Sequence, residues 1–84
     1  MSSPKSGNDH DLKKHSVVIA GHQTSVTLEN IFWNTLKTIA KQDGKSLSQL
    51  ISEIDESRAL HNTGNLSSAI RVYVMQVVSE NQNS

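Results

Sequence analysis

Apolar and polar positions along the chain fall into one β-like stretch followed by three helix-like ones. Residues 15–28 are rich in Val, Ile and Thr and contain no Lys, Arg, Asp or Glu, which is strand composition. Their alternation changes phase. Val17 and Ile19 are apolar at odd positions, Val26 and Leu28 at even ones. Side chains of a strand alternate faces with period two, so a phase change requires a turn or a bulge. Gly21 stands at the break. The stretch reads as a hairpin turning near residues 20–22 or as one long strand bulged there. The pattern leans to two pieces, of which residues 23–28 are the clearer.

The period then becomes helical. Asn30 or Glu29 can cap a helix in which Phe32, Leu36, Ile39 and Ala40 share a face beside Trp33, and Gly44 is its expected stop. Ser46 with Gln49 three residues on forms a capping box. Leu47, Leu50, Ile51 and Ile54 follow at helical spacing, predicting a second helix over residues 47–58. Residues 61–65 form a polar turn carrying Gly64. Residues 66–78 suit a helix by length and by the cap Asn65, although the Val content also suits a strand. Leu66, Ala69, Ile70, Tyr73 and Val77 share one face. Val72, Val74, Met75 and Val78 make the element apolar nearly all round, so it is expected to be buried from several sides.

Composition narrows the class. The chain has 84 residues, room for one domain. There is no Cys, which excludes a disulfide scaffold and thiolate sites. No apolar run is long enough to span a membrane, and residues 1–14 lack the apolar core of a signal peptide. A cytoplasmic protein is the expectation. Residues 1–14 read as a disordered arm, 15–78 as the domain, and 79–84 as a disordered tail. A domain so small buries only about 60% of its unfolded surface; without disulfide or metal, self-association is the expected staple. Eight basic residues balance eight acidic ones. The first half is slightly basic and the second slightly acidic, so a polyanion would meet the first half.

Within the stretch 23–28, Gln23, Ser25 and Thr27 fall on one face and Thr24, Val26 and Leu28 on the other. A lone strand lacks a ladder partner. Pairing with the same strand of a second copy would supply one, giving an antiparallel ribbon over four helices. Such a ribbon fits the major groove of duplex DNA.

These residues carry a family resemblance. Thr24-Ser25-Val26-Thr27-Leu28, Leu36, Ile39-Ala40, Gly44 and Ser46-Leu47-Ser48-Gln49-Leu50-Ile51 resemble the ribbon-helix-helix domain of Arc- and MetJ-type repressors. Ser16-Val17-Val18-Ile19-Ala20-Gly21-His22, Phe32-Trp33 and the run from Asn65 to Val72 resemble a group of short bacterial members. The resemblance implies a mostly α fold with a short β ribbon, an intertwined homodimer, and here an additional C-terminal helix enlarging the dimer interface or joining dimers. It implies duplex DNA as partner and a small transcriptional regulator as function. Gln23, Ser25 and Thr27 fall at the base-reading positions. Ser46, Leu47 and Ser48, at a helix N-terminus, fall at the phosphate clamp. Lys13 and Lys14 precede the ribbon and could add phosphate contacts. The family often places Arg or Lys on the reading face, and this chain has neither at those positions. A ribbon-helix-helix module for protein interaction, with little DNA affinity, is the competing reading.

Other chemistry has little support. His15, His22 and His61 follow no metal-site spacing, and His22 is expected to complete the turn at Gly21. Glu53, Asp55 and Glu56 read as a solvated helix face. Neither a catalytic nucleophile–base pair nor a Gly-rich phosphate loop is present, so no enzyme activity, metal, cofactor or small-molecule substrate is expected. Phe32 and Trp33 read as core or dimer contacts.

Overall fold

A computed structural model describes residues 11–62 and 64–82. The elements run β1 (Leu12–Ile19), β2 (His22–Glu29), α1 (Asn30–Gln42), α2 (Leu47–His61) and α3 (Leu66–Gln82). β1 and β2 pair antiparallel in one two-stranded sheet. Ala20 (φ 53°) and Gly21 (φ 82°) form the loop between them. Positive φ at both positions of a two-residue loop is the turn whose twist matches paired strands. The break at Gly21 is therefore a hairpin, not a bulge.

The register explains the phase change. Val17 faces Thr24, and His15 faces Val26. Odd residues of β1 thus share a face with even residues of β2. Val17, Val26 and Leu28 are buried on that inner face, while Ser16, Gln23, Ser25 and Thr27 are exposed on the other.

This pairing corrects one expectation. β2 is not orphaned within its subunit, because β1 supplies its ladder. The reason is that β1 extends beyond the apolar stretch. It begins at Leu12, ahead of His15, and takes Lys13 and Lys14 into register with Leu28 and Thr27. These lysines belong to the sheet rather than to an N-terminal arm. Residues 1–10 of that arm lie outside the described residues. One edge of β2 is thus paired within its own chain.

The helices cover the inner face. α1 buries Leu36, Ile39 and Ala40, and α2 buries Leu50, Ile51 and Ile54, the spacing expected for both. Ser46 caps α2, its hydroxyl accepting from the Gln49 N–H at 3.1 Å. α2 runs past Arg58 to His61 and ends on Asn62, whose left-handed conformation (φ 53°) stops it. α3 is helical throughout. The Asn65 side chain accepts from the Ser68 N–H at 2.9 Å, and the helix continues to Gln82, into the expected tail; residues 83–84 lie outside the description. α3 buries Ile70 and Val74 against the core and half-buries Leu66, Ala69, Tyr73, Val77 and Val78. Its far side is not covered: Val72 is 56% and Met75 54% exposed. Among the described residues no helix is long and apolar enough to cross a membrane.

Candidate nucleic-acid interface

The outward face of the hairpin gathers the expected base-reading side chains. Gln23, Ser25 and Thr27 are all exposed and stand at alternate positions of β2. Opposite them on the same face are Val18, Ser16 and Lys14 respectively. At about 3.4 Å per residue the row from Gln23 to Thr27 spans about 14 Å. The face therefore carries one cation, Lys14, beside Thr27. Alternation counted back from Val17 places Lys14 outward with Ser16, once the strand is known to reach that far.

Lys13 projects from the opposite face and does not join the row. With Lys37 of α1 it flanks His15. The His15 ring stacks on Trp33 with centroids 3.8 Å apart and planes 8° from parallel. Burial first, then the charges of Lys13 and Lys37, hold the imidazole below its ordinary pKa. Its Nε2 is buried without a hydrogen-bond partner, a second reason for the neutral form to prevail. Trp33 thus serves the core, and Phe32 packs at its margin.

The start of α2 lies back from the hairpin tip. The hairpin tip, through Ile19, Ala20, His22 and Thr24, borders a shallow cleft shared with Asp55, Arg58, Asn65 and Leu66. Ser46 lies nine residues before Asp55, about 13 Å back along the helix. At that helix start Ser46 and Ser48 are exposed and Leu47 is half-buried. Their surroundings carry charges of both signs. Lys45 donates to Glu53, a hydrogen bond that holds its pKa above the ordinary value. The nearby Tyr73 hydroxyl is pushed up first by burial, then by the carboxylates of Asp43, Glu53 and Glu80 against the opposing charge of Lys45. An anion at this helix start would meet those carboxylates as well as the helix dipole.

Two contacts were invisible in sequence. The Ser67 hydroxyl donates to the Thr27 carbonyl at 2.8 Å, and Arg71 Nε donates to the Glu29 carboxylate at 2.8 Å. Both tie α3 to the strand that carries the row. No group of three or more His, Cys, Asp or Glu able to hold a metal occurs among the described residues.

A ribbon of two strands with one face buried under the helices that follow it defines the class. The family model described as the ribbon-helix-helix domain matches residues 12–78, and the chain belongs to that family. Such domains are generally DNA-binding, dimer-forming and non-enzymatic. Among solved structures, an uncharacterized protein from Bordetella pertussis Tohama I is similar, with a TM-score of 0.72 and 31% identity over 90% of this chain. The match spans 64% of that protein's length. No curated protein sequence matches the chain.

Proposed function

We propose that the protein binds duplex DNA sequence-specifically and acts as a small transcriptional regulator in the bacterial cytoplasm. Gln23, Ser25 and Thr27 read base edges, and Lys14, with Lys13 behind it, meets phosphate. The observation that carries this reading is the outward face itself. It is a two-stranded ribbon with a row of short polar side chains, a shape the major groove admits. Gln can pair with adenine at N6 and N7, a contact worth about 1–3 kcal/mol of discrimination. Ser and Thr are less selective. A homodimer would engage two related half-sites. Ser46, Leu47 and Ser48 are left out of the phosphate set, because the Ser46 hydroxyl is committed to its cap and carboxylates stand close by.

The test is selection of bound sequences from a random duplex pool, followed by anisotropy titration of the selected site and a scrambled one. Enrichment of a motif that Gln23→Ala blurs supports the reading. A pool that stays random overturns it.

A second reading is a protein-interaction module with little DNA affinity. The balanced charge and the exposed Val72 and Met75 on α3 favour it. Failure to bind either heparin or nonspecific DNA at about 50 mM salt would select it.

A further inference from the structure

An apolar side chain stands among the polar ones on the outward face of the hairpin. Val18 of β1 is 52% exposed and lies opposite Gln23. Its neighbours Val17 and Ile19 turn toward the core, so the alternation of the strand leaves Val18 outward. Leu12 is also outward and exposed, but it faces Glu29, whose carboxylate Arg71 holds, beyond the row from Gln23 to Thr27.

The two-residue loop sets how closely Val18 and Gln23 stand. The closing pair of such a loop, Ile19 with His22, exchanges main-chain bonds, and every second pair does the same. The Asn30 N–H, donating to the Asp11 carbonyl at 2.9 Å, keeps this phase at the far end. Val18 and Gln23 therefore form a pair without main-chain bonds between them, the kind whose side chains approach most closely, with Cβ atoms about 4.5–5.5 Å apart. Lys14, beside Thr27, is four residues and about 14 Å away along the same strand. The β1 side of the face thus ends in a cation beside Thr27 and in methyl groups beside Gln23.

An A·T base pair matches the Val18 end. In the major groove adenine presents N7 and N6, and thymine presents O4 and its C5-methyl group. A row of about 14 Å is longer than the groove is wide, about 12 Å. The strands therefore run along the groove, and cross-strand neighbours look across it, from one base toward its partner. With Gln23 on adenine, Val18 comes to the thymine side, where its methyls can pack on the C5-methyl, the apolar contact that distinguishes thymine.

We propose that Val18 is a fourth reading residue, contributed by β1, that recognises the thymine C5-methyl of the base pair whose adenine Gln23 holds. This rests on the DNA-binding function proposed above and names the pair that the hairpin tip selects. The amide and the methyls read the two halves of one A·T pair from two strands.

The test is anisotropy titration of the full chain on its selected duplex, with each thymine in turn replaced by deoxyuridine, which lacks only the C5-methyl. The wild type loses about fourfold in affinity at one thymine per half-site, the worth of one buried methyl group. That thymine pairs with the adenine position that Gln23→Ala blurs. Val18→Ala binds the thymine and deoxyuridine duplexes alike. If Val18→Ala loses its folded circular dichroism, Val18→Ser, which copies the Ser16–Ser25 pair next along the face, carries the same expectation. Each ratio is taken within one variant, so a reduced active fraction cancels. A thymine preference that survives the folded substitution, or none in the wild type, overturns the Val18 contact and leaves Gln23 as a reader. A pool that selects no motif removes the contact and the DNA reading together.

Discussion

Ala20 offers a test whose sign depends on the hairpin. Its φ is 53°, a left-handed conformation that costs an ordinary L-residue about 1–2 kcal/mol and that Asn tolerates. Asn-Gly is also the favoured pair for this loop type. Ala20→Asn should therefore stabilise the fold by about 1 kcal/mol, because it relieves that strain without the added chain entropy that Gly would bring. Ala20→Val should destabilise by at least about 1 kcal/mol, because a β-branched side chain fits the left-handed region poorly. In a continuous strand the order reverses, since Val favours strands and Asn disfavours them. Thermal unfolding at fixed protein concentration reads the difference. For a domain of this size 1 kcal/mol moves Tm by about 4–8 °C. A Val variant that melts at or above the wild type would refute the hairpin loop.

Four further outcomes follow from the same geometry. Gln23→Ala should weaken binding to a selected site more than to random duplex, whereas Lys14→Ala should weaken both alike and flatten the salt dependence by about one phosphate contact. Ser46→Ala should cost about 1 kcal/mol of stability through loss of the cap and leave DNA affinity unchanged, so an affinity loss in the folded variant would restore the clamp. Leu36→Ala empties a fully buried site and should cost about 2–5 kcal/mol in urea unfolding. His15 has a folded pKa below the ordinary 6.5. Below that value the unfolded chain binds the proton more readily, so the stability from neutral His15 is present above about pH 6.5 and lost as pH falls. His15→Phe keeps a ring on Trp33 and should flatten this decline; an unchanged profile would assign the acid sensitivity to other groups.

The helices were the most legible part of the chain. The apolar faces of α1 and α2 follow from spacing alone, and the Ser46 cap formed as the capping box implies. The ribbon was harder, for identifiable reasons. β1 starts in Leu12-Lys13-Lys14, where two lysines at an exposed strand end carry no apolar alternation. Ala20 is not a residue that announces a left-handed turn. A strand that seemed alone was therefore assigned a partner in another copy. α3 looked buried on every side because its Val and Met content hid which face the core would take. The contacts of Ser67 and Arg71 with β2 join residues 40 and 42 positions apart, and no local pattern encodes them.

The most direct measurement of the closed ribbon is an isotope-filtered NMR experiment on a mixture of labelled and unlabelled chains. The account predicts that contacts between Val17 and Thr24, and between His15 and Val26, arise within one chain and persist on dilution. Contacts found only between differently labelled chains would show that β2 takes its partner from another copy, and the ribbon described here would be wrong.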